Sequence, residues 1–471
     1  MMRLQPWIAL STVFLLCGCG GGSVSQQEGP APALPSSAAP SLAFRIDSRV
    51  AFDTVNVYVT DAGSNALVAN PLSVPGPGPV STHLSVPANE ALHVVADAFS
   101  AGQFVGSDQG TATVAPGGSG TVSLTLTAPA GLTRVLLAGQ GSGLAAFNLP
   151  ALTAVAGFHS PVSSAPAAID SLTIAGQSFF FLGFASASNN LVPMRLDAGD
   201  TVTALPAVTV PGGVGTLHAS NLPGGSPVLF VGSAASSNNV HTYPIANDGV
   251  VGDVLSTATV GGQGNTPVGL LGLTSSAPPN LRLMVLSNGP SNNLSVLPIS
   301  STGVLGSIMT SGSVGGAGNL PVGLIEAGVS TSTVRYAVLG GSSQNLVEFD
   351  SISLVPQASF TVGGSGNTPV GGTPAGNGSG AVVVVSNGAS DNLTTFAVDA
   401  GGVITSQSGL QTVSGAPVAM GPVTEQGNAA DNDHLVFIAT SASSGNLLAV
   451  PVPGGSTTTA TALGATVLGN L

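Results

Sequence analysis

The chain has 471 residues, enough for two or three domains. Only 6% of the residues are charged, the net charge is −13 and all seven basic residues are arginines. No basic stripe is therefore present to neutralise the phosphates of a nucleic acid. The hydrophobic share of 43% lies in short runs between 66 glycines and 34 prolines, which favours a folded, turn-rich chain over a disordered one.

The amino-terminal sequence predicts an export signal. Arg3 precedes a mostly apolar stretch, residues 7–16, which is too short to span a membrane and typical of a signal peptide. Leu16-Cys17-Gly18-Cys19 follows directly and resembles the bacterial lipobox. That resemblance implies removal of residues 1–18 and anchoring of the mature chain in a membrane by lipid on Cys19. Residues 19–41, rich in Gly, Ala, Pro and Ser, then predict a flexible tether.

The position after the lipidated cysteine bears on localisation. Gly20 stands there, and not the aspartate that resembles an inner-membrane retention signal. By this analogy we expect the protein in the cell envelope, on the outer membrane, with the periplasmic or surface side left open.

Residues 42–129 predict a small antiparallel β-sandwich. Residues 55–60 and 121–127 alternate apolar and polar side chains, and 82–86 and 92–96 form two further short runs between turn residues. Together with the turn Leu84-Ser85-Val86-Pro87-Ala88, these segments resemble a small sandwich domain of unknown function found in bacterial surface lipoproteins. That resemblance implies no activity.

Residues 133–471 are periodic. A strand pair recurs seven times, followed each time by a third strand, a Gly-rich turn and a short apolar run. The second strand of the pair opens at intervals of 47 to 54 residues, near Leu144, Leu191, Val240, Leu294, Leu346, Leu393 and Leu447. Seven four-stranded repeats predict a seven-bladed β-propeller, because one blade cannot bury both faces of its sheet. The alternative is a β-solenoid or a row of sandwiches, although solenoid rungs recur about every 20–30 residues.

The ring requires a seventh innermost strand. Only six copies of that strand lie between the repeats, so we predict that residues 464–471 pair into the blade that begins at residue 134 and close the ring.

Three Gly-rich turns nearly match, and they end in Asn265-Thr266-Pro267-Val268-Gly269, Asn319-Leu320-Pro321-Val322-Gly323 and Asn367-Thr368-Pro369-Val370-Gly371. With the Asn-Leu openings, they resemble the seven-bladed lactonase-like and surface-repeat propellers of bacteria. In the lactonase-like family a basic pair commonly follows that proline and faces the central funnel. Here Val and Gly follow it, so the resemblance implies the fold and argues against the activity.

Candidate reacting groups are few. His218, Asp170 and Glu326 lie in copies of the inner strand, where a histidine and carboxylates can perform acid–base chemistry. The other interpretation is isolated polar residues on a solvated channel wall. Asp431-Asn432-Asp433-His434 lacks the spaced ligands of a calcium loop, and no Gly-rich motif opens a helix, so we predict neither a metal nor a cofactor.

The asparagines before the inner strands, Asn265, Asn319 and Asn367, are predicted to form a partial ring near the propeller axis. A wider ring is expected outside it, from Asn239, Asn293, Asn345 and Asn392. Uncharged amides suit a neutral polar ligand, but asparagine also serves turn geometry, and both interpretations stay open.

The sequence favours a non-enzymatic, lipid-anchored binding or scaffolding module for an unknown protein or a neutral polar ligand. The alternative is a lactonase-like hydrolase with a divergent channel that uses His218 and Glu326.

Overall fold

The computed structural model describes residues 39–77, 79–101, 103–127, 135–140, 143–148, 153–154, 160, 162–197, 202–224, 226–261, 265–274, 281–316, 318–326, 334–364, 366–375, 381–425, 433–441, 447–453 and 464–466. Over these ranges the chain is all-β and contains no helix, and hence no helix able to cross a membrane. The predicted fold, a small β-sandwich followed by a seven-bladed β-propeller, is confirmed.

The sandwich contains the strands β1 (Ser41–Ser48), β2 (Thr54–Asp61), β3 (Leu72–Pro75), β4 (Val80–Ser85), β5 (Ala91–Ser100), β6 (Gln103–Thr113) and β7 (Ser119–Leu126). One sheet has the order β4-β1-β7 and the other β3-β2-β5-β6. Alternate side chains such as Phe44 and Val57 fill the core between the sheets. The sequence did not predict β1, β3 and β6. β1 directly continues the tether, β3 is short and ends in a proline, and β6 is mostly polar or small.

The propeller contains, in blade 1, β8 (Val135–Gln140), β9 (Gly143–Asn148) and β10 (Thr153–Ala154); in blade 2, β11 (Ala168–Ile174), β12 (Gln177–Gly183), β13 (Leu191–Leu196) and β14 (Val202–Ala204); in blade 3, β15 (Val214–Asn221), β16 (Pro227–Ser233), β17 (Val240–Pro244) and β18 (Ser256–Ala258); in blade 4, β19 (Pro267–Thr274), β20 (Leu281–Ser287), β21 (Leu294–Pro298) and β22 (Thr310–Gly312); in blade 5, β23 (Pro321–Glu326), β24 (Val334–Leu339), β25 (Leu346–Asp350) and β26 (Pro356–Phe360); in blade 6, β27 (Pro369–Ala375), β28 (Ala381–Ser386), β29 (Leu393–Val398) and β30 (Ile404–Gln411); and in blade 7, β31 (Pro417–Glu425), β32 (Asp433–Thr440), β33 (Leu447–Pro453) and β34 (Gly464–Thr466). Blades 2 to 7 are four-stranded antiparallel sheets that follow chain order.

The hydrophobic cores of the propeller lie between consecutive blades. Six clusters of buried side chains join blade 1 to blade 2 and so on to blade 7. The middle strands have aliphatic side chains on both faces, as in β28, where every residue from Ala381 to Ser386 is buried. Each blade is therefore stabilised mainly by its neighbours.

The prediction that residues 464–471 supply the innermost strand of blade 1 is wrong for the described part. Gly464–Thr466 pairs with β33 as the outermost strand of blade 7, with Thr466 opposite Leu447. The reason is local pairing, because the last blade is completed in the same order as blades 2 to 6. Residues 467–471 lie outside the described residues.

The sandwich and the propeller belong to one compact unit, Ala39–Leu471. The sheet face of β2 and β5 that points away from the sandwich core packs on blades 2 and 3, where Tyr58 and Val95 join the same buried cluster as Phe179. A backbone hydrogen bond from Ala207 N to Asn65 O, 2.8 Å long, adds to this contact.

Buried ionisable side chains lie at the same junction. Arg195 of β13 is fully buried, and its guanidinium donates to Asp97 Oδ1 of β5 at 2.6 Å and to Asp197 Oδ1 at 2.7 Å. The hydroxyl of Tyr58 donates to Asp248 Oδ2 at 2.7 Å. The carboxyl groups of Asp97 and Asp197 thus share one guanidinium. Burial raises the pKa of Asp97 to about 8, although the positive charge of Arg195 opposes the shift.

This junction makes folding stability depend on pH. Folded Asp97 keeps its proton up to about pH 8, whereas an unfolded aspartate loses it near pH 4, so folding binds an extra proton between these values. The stabilisation by protonated Asp97 is complete below about pH 4 and is lost as the pH rises through about 8. We expect the thermal midpoint of Asp97→Asn to fall less than that of the wild type between pH 5 and 8.5. Equal pH slopes in the two proteins would contradict this assignment.

Candidate functional site

The inner strands of blades 3 to 7 begin alike. The first residue pairs with the neighbouring strand, the next is skipped, and pairing resumes one residue later, as with Pro267 and Gly269. Equivalent bulges occur in β15, β23, β27 and β31. Proline starts four of these strands, since its missing N–H does no harm at the first position of a strand.

The skipped residues form an uncharged rim at the start of the inner strands. They are Gly215, Val268, Val322, Val370 and Val418. Val322 is 39% exposed and Val418 48% exposed, and the adjacent Leu320 is 40% exposed. Apolar side chains therefore stand at the positions where the lactonase-like resemblance implies a basic pair, and they cannot act as acid or base.

His218 of β15 lies between the inner strands of blades 2 and 4. Its Nδ1 is 4.0 Å from Asp170 Oδ2, and its Nε2 accepts a hydrogen bond from the backbone N–H of Gly272 at 3.1 Å. Asp170 accepts the backbone N–H of Ala219 at 2.7 Å and that of Ser171 at 2.8 Å. Each side chain thus ties its own inner strand to the backbone of the next blade.

This geometry fixes the protonation of the histidine. Because Nε2 accepts a hydrogen bond, the neutral ring carries its proton on Nδ1, on the side of Asp170. Burial lowers the pKa of His218, while the negative charges of Asp170 and Glu326 oppose that shift. Burial likewise raises the pKa of Asp170, against the hydrogen bonds that it accepts. The lone pair that a general base needs is already engaged.

Glu326, the other residue of the hydrolase alternative, lies in β23. Its Oε1 is 3.5 Å from Nη2 of Arg335, the residue opposite on β24. The structure therefore pairs His218 with Asp170, and Glu326 with Arg335. In the part of the chain that the structure covers, no group of three or more His, Cys, Asp or Glu side chains could hold a metal ion. Cys19, Asp431 and Asn432 lie outside the described residues.

The asparagines of the predicted wider ring are buried. Each acts as a brace, meaning that its amide hydrogen-bonds two backbone segments of the same blade. Asn293 is fully buried; its amide donates to Gly289 O and Val314 O, each at 2.7 Å, and accepts from Val314 N at 2.9 Å. The same two-way contact with the valine that follows the outer strand is made by Asn190, Asn239, Asn345 and Asn392. These amides hold the loop between the two middle strands to the outer edge of the same blade.

The left-handed backbone conformation belongs to the residue before each brace. Asn189, Asn238, Asn292, Gln344 and Asp391 all have φ between 47° and 49°. The asparagines of this set therefore hydrogen-bond the backbone, as the turn-geometry interpretation expects, but the left-handed conformation belongs to the residue before each of them.

The asparagines predicted to lie nearer the axis also hydrogen-bond the loop backbone. Nδ2 of Asn319 donates to Ser343 O at 3.3 Å and Gln344 O at 3.2 Å, and its Oδ1 accepts from Gly341 N at 2.8 Å. Asn367 donates to Ser390 O at 2.8 Å, and Asn265 donates to Ser291 O at 3.4 Å. A ligand role for Asn265, Asn319 and Asn367 stays a prediction, and such a ligand would have to share these amides with the loop backbone.

These features define a class of protein: a β-sandwich joined to a seven-bladed β-propeller whose inner strands begin in an apolar rim. No protein-family model matches the sequence. No curated protein matches it either.

Solved structures show the likeness of fold. A protein from Bacteroides uniformis, provisionally described as a 6-phosphogluconolactonase, has 12% sequence identity and a TM-score of 0.51, covering 70% of this chain and 94% of its own. Sqt1 of Saccharomyces cerevisiae has 13% identity and a TM-score of 0.45, covering 77% of this chain and 93% of its own. At these identities the first likeness supports the fold alone.

The buried braces predict a sharp difference between adjacent asparagines. Asn293→Ala leaves the backbone groups of Val314 and the carbonyl of Gly289 without that partner, and we expect it to lower the free energy of unfolding by about 2 kcal/mol or more. Asn292→Gly is the control, because glycine adopts its φ of 47° without strain, and a change within about 0.5 kcal/mol is expected. Chemical denaturation measures both, and equal losses would refute the brace.

Proposed function

We propose that this chain is a lipid-anchored protein of the bacterial cell envelope whose propeller is a non-catalytic binding or scaffolding module. The anchor is supported by the apolar leader, the lipobox-like Leu16-Cys17-Gly18-Cys19 and the Gly/Pro/Ser-rich tether. Gly20 after the cysteine supports the outer membrane as its location.

The non-catalytic role rests on one observation above the others. The Nε2 atom of His218 accepts a hydrogen bond from the backbone N–H of Gly272. The lone pair of the one histidine among the predicted inner-strand candidates is therefore engaged in a contact between two blades. The valines after the inner-strand prolines add to this, since they offer no charge to a reacting substrate.

The partner we propose is a protein or a neutral polar ligand. The loops that carry Asn265, Asn319 and Asn367 consist mainly of Gly, Ser, Thr and Asn, and they present amide and hydroxyl groups with little charge. The net charge of −13 and the absence of lysine make a nucleic-acid partner unsuitable.

Fractionation of cells that express the full chain tests the anchor. We expect the wild type to sediment with membranes and to enter the detergent phase in Triton X-114 partitioning. Cys19→Ser should remain in the aqueous phase, because no acyl chains are attached. Cys17→Ser is the matched control and should behave as the wild type. Identical partitioning of Cys19→Ser and the wild type would refute the anchor.

The second candidate function is a lactonase-like hydrolase. It is favoured by the approach of His218 Nδ1 to Asp170 Oδ2 and by the shared fold with the Bacteroides uniformis protein. In this alternative the imidazole would have to release Gly272 before it could accept a proton from water.

Hydrolysis of a panel of sugar lactones and acyl lactones separates the two candidates. We expect no turnover by the purified chain above the buffer rate, and the same baseline for His218→Ala. Turnover that disappears in His218→Ala while the thermal midpoint is retained would establish the hydrolase and overturn the non-catalytic proposal.

A further inference from the structure

The hairpins that join the third and fourth strands of blades 3 to 6 follow one pattern. Each contains a residue in the left-handed region, with φ between 56° and 89°: Gly249, Gly303, Leu354 and Gly402. A valine follows it directly in all four blades: Val250, Val304, Val355 and Val403. The same hairpin position is therefore aliphatic in four consecutive blades.

Most of these valines are open to solvent. Val304 is 42% exposed, Val355 57% and Val403 38%. Four further exposed apolar side chains lie in the same hairpins: Val254, Ile308, Met309 and Ile352. A single exposed aliphatic residue is ordinary, but a series along neighbouring hairpins marks an interaction surface. We call these seven exposed residues the hairpin band.

The hairpin band lies at one end of the blades. In a four-stranded antiparallel blade, the turns between strands one and two and between strands three and four emerge at the same end. The inner strands start at the opposite end, where Val322 belongs to the uncharged rim. The hairpin band therefore faces away from the loops of Asn265, Asn319 and Asn367.

Contacts with the preceding blade hold the hairpins in place. The backbone N–H of Leu305 donates to Ser256 Oγ of blade 3 at 2.8 Å, and that of Ile404 donates to Glu348 Oε2 of blade 5 at 2.9 Å. A Cβ placed on Gly312 of β22 would lie 3.1 Å from Cβ of Leu354. The four hairpins and the strands that they join lie wholly within the described residues. The exposed side chains thus stand on well-supported backbone.

The hairpin band continues the junction with the sandwich. In blade 3, Val250 packs against the buried cluster that contains Tyr58 and Val95 of the sandwich. Tyr58 also donates to Asp248 Oδ2 in that hairpin at 2.7 Å. The buried clusters that join blades 4 to 6 contain no described residue of the sandwich. The sandwich thus covers one hairpin of the series, while the valines of the next three are exposed.

The chemistry of the hairpin band suits an uncharged apolar boundary. Residues 300–309 contain no charged side chain, and the hairpins of blades 3 to 6 contain no arginine. The carboxylates of blades 5 and 6 are engaged by their own turns, since Asp350 accepts Ile352 N at 3.0 Å and Asp399 accepts Val403 N at 2.9 Å. Attraction to anionic lipid headgroups, which needs basic side chains, is not the basis of this surface.

We propose that the hairpin band lies in the interfacial region of the bilayer to which the chain is anchored. This inference rests on the lipid anchor proposed above. Residues 20–40 separate the acylated Cys19 from β1, and a flexible tether of this length spans about 25 Å on average. The anchor therefore keeps the band at a high effective concentration near the lipid, where weak apolar contacts suffice. In this orientation the loop of Asn319 points away from the membrane, towards a partner.

Site-directed fluorescence measures the depth of the band. Both cysteines lie in residues 17–19, so the acylated mature chain has no free thiol and one introduced cysteine can carry a nitrobenzoxadiazole label. The acylated chain is reconstituted in phosphatidylcholine vesicles. We expect the label in Met309→Cys to emit at shorter wavelength and to be quenched by shallow nitroxide lipids, because interfacial apolar faces lie about 5–10 Å deep.

Leu410→Cys is the matched control for the label. Leu410 is 46% exposed, against 45% for Met309, and it lies about 20 Å along β30 from Ile404 of the hairpin. Its label should keep the emission of an aqueous dye and resist nitroxide quenching.

A substitution tests the contact from the neighbouring blade. Val355→Asp should remove most of the nitroxide quenching at residue 309, because a carboxylate resists transfer out of water. Leu410→Asp should leave that quenching unchanged. Circular dichroism checks that both variants are folded.

Two results would overturn the inference. The first is nitroxide quenching at residue 309 that is no stronger than at residue 410. The second is a label at residue 309 that is already shielded in buffer, in the chain with Cys17→Ser and Cys19→Ser, because the protein itself or a second copy would then cover the band.

Failure of the anchor gives a different result. The acylated preparation would then not float with the vesicles in a density gradient, which refutes the proposed anchor and this inference with it. Flotation combined with an aqueous label at residue 309 refutes the membrane contact alone.

Discussion

A four-stranded blade with aliphatic side chains on both faces of its sheet is stable only when a neighbour covers each face, and closure of the ring is the constraint on which this structure depends. The burial of β28 from Ala381 to Ser386 reflects two such neighbours. β34 completes blade 7, and among the described residues blade 1 contains only β8, β9 and β10.

Amides and backbone groups provide most of the polar contacts in a chain with 6% charged residues. Each buried asparagine of the Asn293 type joins a loop to the edge of its own blade, and Asp170 and His218 join neighbouring blades through backbone N–H groups. The buried hydrogen bonds of Arg195 to Asp97 and Asp197 lie instead at the junction with the sandwich. A polar group that satisfies the backbone in this way is poorly placed for catalysis, which is why the inner-strand histidine weighs against the hydrolase alternative.

The repeat spacing and the Asn-Leu openings were enough to predict the blades, because each strand pair has its own apolar run and its own turn residues. The same patterns did not predict β1, whose apolar residues follow the tether without a break, or β34, whose partner depends on blade order and not on local sequence. The pairing of Arg195 with Asp97 joins residues 98 positions apart and has no local signal. Asn265, Asn319 and Asn367 recur in the sequence before the inner strands, but only the structure reveals that their amides contact the loop backbone.

Hydrogen exchange of the full mature chain, followed by mass spectrometry, tests the central claim most directly. Because neighbouring blades stabilise one another, the amides of β16, β20 and β24 are predicted to become exchangeable together, at one common free energy of opening. Exchange of the three strands at clearly different free energies of opening would contradict the account, because each blade would then be stable without its neighbours.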